Sequence, residues 1–498
     1  MKSRALATLA EGPTSSETLS KDLIAEWYGT SLAAGEGFPA KAGIEPSRAP
    51  EAPLHRAYTK AMAWNVVIAG GGFAGTTVAR ELERILPQQS ARLVLVNDVN
   101  FMLYTPFLPE AAAGTLEPRH VVTPLRDIIH RANLKLGAVH SHDPESKTVG
   151  VRNHIGESQT IGYDQLVLAP GSISRFLPVP GLSEHAVGFK SLADAIYLRN
   201  HVIESLEMAN ATEDEHSRDQ YLTFVFVGGG YAGLEALAEL QDFAADAMGD
   251  YPRARLHGMR WVLVEAAGRV MPEIDADLAD YALNELRGRG IDARLNTTLT
   301  KVTAESCELS TGEVLPTRTV VWTAGVAPHP SLKQLSVPLD DRGRVPVDSS
   351  LRVEGMVGVW ALGDAAAVPD PNGGFCPPTA QHAVRQAPVV ANNIAAEFGI
   401  GSPKTFDYRG SASFVNLGRY KAVGKVGNLK FRGFLAWWMA RTYHMSQIPG
   451  ISRKVRAVID WTASLPFRRD LSEVGSIGKP GVLSPEKYEQ GGSHRPVE

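Results

Sequence analysis

Short runs of uninterrupted apolar residues, each closing on glycine and followed by a segment of helical period, recur along the chain. The first is "NVVIAGGGFAG" (65–75), a buried strand and a glycine turn, with a helix predicted over Thr76–Leu86. "RLVLVND" (92–98) and "YDQLVLAPGS" (163–172) predict two more strands. The pattern then restarts about 158 residues further on: "LTFVFVGGGYAGLEALAEL" (222–240) repeats strand, glycine turn and helix, "RWVLVEAAGRVMPEI" (260–274) repeats the second strand, and "TVVWTAGVAP" (319–328) a later one. Apolar strands alternating with helices predict parallel sheets buried on both faces. The fold class is therefore α/β, with two Rossmann-like units. "VWALGDAAAVPD" (359–370) adds a short strand, and "CPPTAQHAVRQ" (376–386) opens a helix whose start is marked by Pro377, Pro378 and Thr379. Ala383, Ala387, Val390 and Ile394 give that helix an apolar face. Packing alone does not explain why Gln381, His382, Arg385 and Gln386 crowd its first turns.

The two glycine turns carry chemistry. Gly70-x-Gly72-x-x-Gly75 and Gly228-x-Gly230-x-x-Gly233 both follow a strand and open a helix, the context required of a dinucleotide fingerprint. In that motif the first glycine allows the tight turn, the second lets a pyrophosphate approach the backbone, and the third lets helix and strand pack closely. Glu265 ends the strand after the second turn, placed to accept hydrogen bonds from ribose hydroxyls and to repel a 2′-phosphate, which favours NADH over NADPH. The equivalent strand in the first unit ends in Asn97 and Asp98, an amide standing where a carboxylate is usual. Gly363-Asp364 closes another strand, and a carboxylate there can hold a polyol hydroxyl, which the ribityl chain of FAD has and NAD lacks.

Composition narrows the classes. The 498 residues are 44% hydrophobic with a net charge of −4, ordinary globular values that speak against a dedicated nucleic-acid binder. The two cysteines, Cys307 and Cys376, form neither a redox dithiol nor a zinc-ligand spacing, so no disulfide centre and no metal is expected. No apolar run approaches the roughly 20 residues of a membrane-spanning helix, and no signal peptide is visible, so the chain reads as intracellular. Residues 1–62, with a short helix near Asp22–Trp27, and 473–498 read as poorly ordered extensions. Between Arg419 and Asp470, eleven basic residues face two acids and are interleaved with Phe434, Trp437, Trp438, Tyr443 and Trp461, the mixture an interfacial segment uses against anionic lipid.

With these motifs in hand, the chain resembles the two-dinucleotide-binding-domain flavoproteins, and among them the type II, non-proton-pumping NADH:quinone oxidoreductases. The likeness rests on the paired fingerprints, Gly-Leu-Glu (233–235), Leu-Val-Glu (263–265), Thr-Ala-Gly (323–325), Gly-Asp (363–364), the segment 100–126, "PPTAQHAVRQ" and the stretch after "LGRYKAVGKVG", and it spans about residues 63–472. Arg385 departs from it, standing where the family has the first Gln of a Gln-Gln pair. The resemblance implies an FAD domain of 63–180 and 340–402, an NADH domain of 181–339, and a membrane-binding region of 403–472. It implies FAD contacts from Gly70, Gly72, Gly75, Asn97, Asp98, Gly171, Gly363, Asp364, Ala380 and Gln381. NADH contacts would come from Gly228, Gly230, Gly233, Glu265 and Gly325. Glu235 would lie near the nicotinamide side of the flavin, and Gln381 and Arg385 near the quinone. The expected setting is the cytoplasmic face of the membrane, as a peripheral protein without a transmembrane helix, with a homodimer compatible. Two alternatives stay open: a soluble NAD(P)H-dependent reductase of another acceptor, and a flavin-binding protein without turnover.

Overall fold

Strands apolar on both faces can be satisfied only by cover on both sides, and the chain supplies it by alternating strand and helix. The computed structural model describes residues 64–408, 410 and 412–473; the expected N-terminal extension and the tail beyond 473 lie outside the described residues. In chain order the elements that position the site begin with β1 (Trp64–Ala69), α1 (Phe73–Ile85), β2 (Ala91–Asn97), α2 (Leu108–Ala112), β3 (Asn133–Leu136) and β4 (Gln165–Leu168). There follow β5 (Ala186–Gly188), α3 (Leu192–Ala211), β6 (Thr223–Val227), α4 (Tyr231–Ala247), β7 (Arg260–Val264), α5 (Ala276–Gly288), β8 (Asp292–Arg294) and β9 (Thr319–Trp322). The chain then forms β10 (Val359–Ala361), α6 (Ala380–Glu397), β11 (Ala412–Asn416), β12 (Ala422–Val426), β13 (Leu429–Arg432), α7 (Gly433–Gln447) and α8 (Ile451–Ala463).

The first sheet has the order β10-β4-β1-β2-β3 and the second β5-β9-β6-β7-β8, with every pair parallel. In each, the order reverses beside the strand that carries the glycine turn: β1 lies between β4 and β2, and β6 between β9 and β7. A crevice opens where consecutive connections leave on opposite sides, at the carboxyl ends of the strands. Both sheets thus place their glycine turns at a switch point. The two helices begin earlier than the apolar pattern suggests, α1 at Phe73 rather than Thr76, because the third glycine belongs inside the first helical turn. Helix α6 begins at Ala380, and Thr379 caps it by accepting from the His382 N–H at 3.3 Å. The two prolines therefore precede the cap instead of filling the first turn. The predicted apolar face holds: Ala383, Ala387, Val390 and Ile394 are buried, and α6 lies along α1.

The residues after 400 form an antiparallel sheet, β11-β12-β13, with α7 against it through Ala422, Ala436 and Trp437. Val415, Leu417 and Val423 join the core under the second sheet, whereas Ile448 and Ala457 join the core of the first. This piece bridges both units.

Candidate active site

Each glycine of the first turn meets a different physical demand. A Cβ on Gly70, whose φ is +110°, would stand 2.1 Å from the Ala169 carbonyl oxygen, and one on Gly75 would stand 1.9 Å from the Gly70 oxygen. Gly72 has open space around the same position. The outer two allow close packing and the middle one leaves the approach clear. The second turn repeats the arrangement: Gly228 (φ +114°) abuts Thr323, Gly233 would clash with the Gly228 oxygen at 2.2 Å, and Gly230 is open. Asn97 Oδ1 accepts from the Gly71 N–H at 2.7 Å, and Glu265 Oε2 accepts from the Gly229 N–H at 2.5 Å. An amide and a carboxylate thus perform the same task of holding the glycine loop, which explains how Asn97 can replace the usual acid. Glu265 also accepts from the Ala267 N–H.

The first turn opens on a cavity of about 870 Å³. Gly70, Gly72, Asn97, Asp98, Gly171, Gly363, Asp364 and Ala380 all line it, while Gly75 packs behind the turn. Asp364 Oδ2 accepts from Ser172 Oγ at 2.6 Å, Lys190 Nζ donates to that hydroxyl at 3.0 Å, and Lys190 lies 3.8 Å from the carboxylate. The expected polyol-binding acid is thus set in a Ser–Lys frame. Ser172 follows the quoted glycine directly, but Lys190 comes from beyond β5 and had no sequence signal. Gln386 Oε1 accepts from the Gly363 N–H at 2.7 Å, so one of the unexplained polar residues of α6 fixes the turn before Asp364. The start of α6 reaches the cavity through Pro378 and Ala380, presenting the positive end of its dipole. A cavity of this volume, lined by an open glycine cradle and a framed carboxylate, fits a dinucleotide with a polyol chain. The second glycine turn lies outside it, and Gly325 (φ +89°) follows β9 on that second unit.

Gln381, Arg385 and Glu235 each contact the C-terminal piece, through different residues. Gln381 Nε2 lies 3.4 Å from the Tyr443 hydroxyl of α7, and the Arg385 guanidinium sits 5.5 Å from the Tyr408 ring. Tyr443 in turn lies beside Phe414 of β11, ring centroids 5.8 Å apart. Two residues along β11, the Asn416 N–H donates to Glu235 Oε1 at 2.9 Å, and Asn416 Nδ2 donates to Glu239 Oε1 at 2.9 Å. Burial pushes the Glu235 carboxyl up to about 8; the Asn416 bond opposes the shift, and Glu239 and Glu110 add to it. Glu239, one turn on in α4, is also raised by burial, with Glu110 adding and Arg469 and Arg441 opposing. Glu110 accepts from Trp461 Nε1 at 2.6 Å and lies 3.4 Å from Arg441, whose guanidinium is sandwiched between Trp437 and Trp461 at 4.1 and 4.8 Å. Beside this group Tyr104 packs on Phe73 and Phe107, and its hydroxyl lies 3.2 Å from His444 Nδ1. Burial pulls His444 down to about 4, so the imidazole is neutral. None of Tyr443, Phe414, Asn416, Glu110 or Glu239 could be placed at the site from spacing; they arrive from four separate elements, α7, β11, α2 and α4.

Two expectations change. Tyr443, Trp437 and Trp461, read as interfacial aromatics, face inward, whereas Phe434, Leu435 and Trp438 remain exposed. The basic residues are also largely engaged within the protein. Lys421 pairs with Glu285, Lys425 with Asp275, Lys430 with Asp275 and Asp277, Arg432 with Asp277, and Arg469 with Asp246. Arg453 and Lys454 donate to the carbonyls of Arg119 and Ser446. The local charge excess therefore complements an acidic face of the second unit. Both cysteines are buried and unpaired, and burial pushes Cys376 up to about 11.

Comparison with known proteins agrees with this geometry. Residues 64–387 match the model of the pyridine nucleotide-disulphide oxidoreductase family. A probable NADH dehydrogenase of Dictyostelium discoideum is 29% identical over 82% of this chain and 90% of its own length. The type II NADH:quinone oxidoreductase Ndh of Mycobacterium tuberculosis is 29% identical over 80% and 87%. An internal alternative NAD(P)H-ubiquinone oxidoreductase of Arabidopsis thaliana is 28% identical over 87% and 88%. NDH2 from Plasmodium falciparum, solved with NADH, superposes with a TM-score of 0.76 at 16% identity over 82% of this chain and all of that one, which shows the shared fold. With two glycine cradles at two switch points, a framed carboxylate in the first cleft and no dithiol, the chain belongs to the pyridine nucleotide-disulphide oxidoreductase family, with type II NADH:quinone oxidoreductases among its relatives.

Proposed function

We propose that the protein binds FAD in the first cleft and NADH against the second glycine turn, oxidises NADH, and passes two electrons to a membrane quinone without pumping protons. The observation that carries this reading is the duplicated glycine turn combined with the Asp364–Ser172–Lys190 frame, which suits a ribityl chain on one side only. The corresponding domains are 63–180 with 340–402 for FAD and 181–339 for NADH. Held by Gly72, Asn97 and the Asp364–Ser172–Lys190 frame, a flavin would supply two-electron chemistry between NADH and the acceptor.

The protein's own groups orient and tune. Gly72 and Gly230 leave the approach clear for phosphates, and Asn97 and Glu265 hold their loops. Glu265 places a carboxylate where a 2′-phosphate would be repelled, which favours NADH. The N-terminus of α6, which reaches the cavity through Pro378 and Ala380, would offer its positive dipole end to negative charge on a bound flavin. Gln381, with Tyr443 and Arg385 beside it, is suited to touch both the flavin and the quinone head, and Glu235, neutral near pH 7, can hold a proton close to that head. Among the described residues no helix is long and apolar enough to cross a membrane, which suits a non-pumping, peripheral enzyme. Exposed Phe434, Leu435, Trp438, Ile451, Val455 and Ile459 supply an apolar surface for the bilayer, and the cytoplasmic face is the side on which NADH is met.

The test is anaerobic stopped flow. NADH should bleach the flavin absorbance and a quinone should restore it, faster with liposomes present. Restoration by a small dye but by no quinone would favour a soluble reductase, and absence of bleaching would leave only a flavin-binding protein.

A further inference from the structure

No metal is expected from the sequence, because Cys307 and Cys376 have no zinc-ligand spacing, yet Cys376 has Asp370 and His382 six residues to either side. Folding brings them together. A tight turn, closed by the Asp370 N–H donating to the Gly374 carbonyl at 3.0 Å and by the bridge between Pro369 and Phe375, returns the chain so that Cys376 stands beside Asp370. The first turn of α6 then carries His382 against both. One ligand atom from each side chain lies within 4.8 Å of the other two.

The environment is that of a held site. Cys376 is buried, 9% exposed, and its backbone N–H donates to the Val368 carbonyl at 2.9 Å. Thr379 Oγ1 lies 2.7 Å from His382 Nδ1, and the Tyr408 ring meets the imidazole edge-on at 5.5 Å. The ring is thereby oriented, with Nε2 the nitrogen outside that bond. Asp370 Oδ1 accepts from the Asn372 N–H at 2.8 Å, which fixes the carboxylate. Outer partners of this kind orient metal ligands and set their tautomers. A thiolate, an imidazole and a carboxylate form a mixed soft and borderline donor set that suits zinc-class cations and disfavours magnesium or calcium. Three protein ligands leave a fourth position for water.

We infer that the turn 369–376 and the first turn of α6 form a binding site for a zinc-class divalent cation, with Asp370, Cys376 and His382 as its ligands. Occupancy would clamp that turn to the helix start that carries Gln381 and, through Gln386, holds the Gly363 N–H. The site therefore offers a way for cation availability to stiffen the edge of the flavin cleft. The Cys376 thiol gives up its proton when the metal–sulfur bond forms, and no electron is exchanged.

The experiment titrates the full chain, purified with its flavin, with Co²⁺. Tetrahedral cobalt has ligand-field bands at longer wavelength than oxidised flavin absorbs. The expected result is saturation at one ion per chain, displacement by Zn²⁺, and loss of the bands in Cys376→Ser and in His382→Gln. Cys307→Ser, remote in sequence and fold, should leave them unchanged. Thr379→Val removes the partner of the ring together with the side-chain cap of α6 and should weaken binding by about 10-fold or more; measured on protein that keeps its flavin and helix content, this variant decides the matter if the ligand variants lose their flavin or fold. Octahedral cobalt spectra, no saturable binding, or binding unaffected by Cys376→Ser and Thr379→Val would overturn the proposal and mark any bound ion as adventitious.

Discussion

Glu235 is an acid kept mostly neutral by its surroundings, and that has a measurable consequence for stability. Its carboxyl titrates near 8 in the folded chain, against about 4.3 for an unfolded glutamate. Between those values the folded state holds a proton that the unfolded state has lost, so stability is fully present below the unfolded value and falls as pH rises towards 8. Glu235→Gln keeps an acceptor for the Asn416 N–H and removes the titration. The variant should gain on wild type by roughly 2–4 kcal/mol between pH 5 and 8, read as a difference of denaturant midpoints; parallel pH profiles would show that Glu235 is charged in the fold. Gln381 is a second residue-scale case. Gln381→Ala loses the Tyr443 contact but not the glycine turns, so it should slow flavin re-oxidation by quinone about 10-fold or more and leave reduction by NADH nearly unchanged. The reverse pattern would move the quinone site elsewhere. Gln381 stood out in the sequence as a polar position at the start of a helix with an apolar face, and Glu235 entered through the resemblance at Gly-Leu-Glu. Their partners were not legible there, because Asn416 and Tyr443 come from β11 and α7, and no periodicity links those elements to α4 or α6.

At the scale of elements, the strand–glycine–helix units could be read because each rests on local rules: apolar runs for two-sided burial and glycines where a Cβ cannot fit. The C-terminal helices follow tertiary rules instead, and there charge counting misled. Lys421, Lys425, Lys430 and Arg432 are matched by acids at the start and along the length of α5, a complementarity invisible without the pairing. The outward surface of α8 carries apolar residues beside the exposed Arg456. In α8, Ile451, Val455, Val458 and Ile459 lie outward at one-face spacing, 80%, 53%, 42% and 59% exposed, while Ala457 is buried. Replacing Val455 and Ile459 together by Glu should lower binding to lipid vesicles about 10-fold or more and leave turnover with a short, water-soluble quinone intact. Vesicle binding by the unaltered chain should depend only weakly on the anionic lipid fraction. Co-sedimentation across lipid compositions checks both; retention of binding by the double variant would remove α8 from the membrane surface.

For the whole molecule, the question is whether the C-terminal region is an appendage or a structural part. An anchor that merely attached the enzyme to lipid would be removable, but the packing here is reciprocal. Trp461 donates to Glu110 of α2, Asp460 accepts from the Glu117 N–H, and Arg441 stands between two tryptophans against the same Glu110. On the other unit, Arg289 donates to the Leu417 carbonyl at 2.6 Å and to Asp242, and Arg199 donates to the carbonyls of Asp470 and Ser472. Removing the segment would take carbonyl partners from Arg199 and Arg289 and leave Glu110 and Glu239 without their cations. Uncompensated buried charge of this kind is costly, several kcal/mol for each broken group. A chain ending at residue 411 should therefore melt about 10 °C or more below the full-length protein and release flavin on dilution, instead of yielding a soluble active enzyme. Calorimetry with the flavin-to-protein ratio measured after gel filtration separates the two pictures. A truncated protein that keeps its flavin and its melting temperature would make the region an appendage, and would require the acid cluster around Glu239 to be neutral without its arginines.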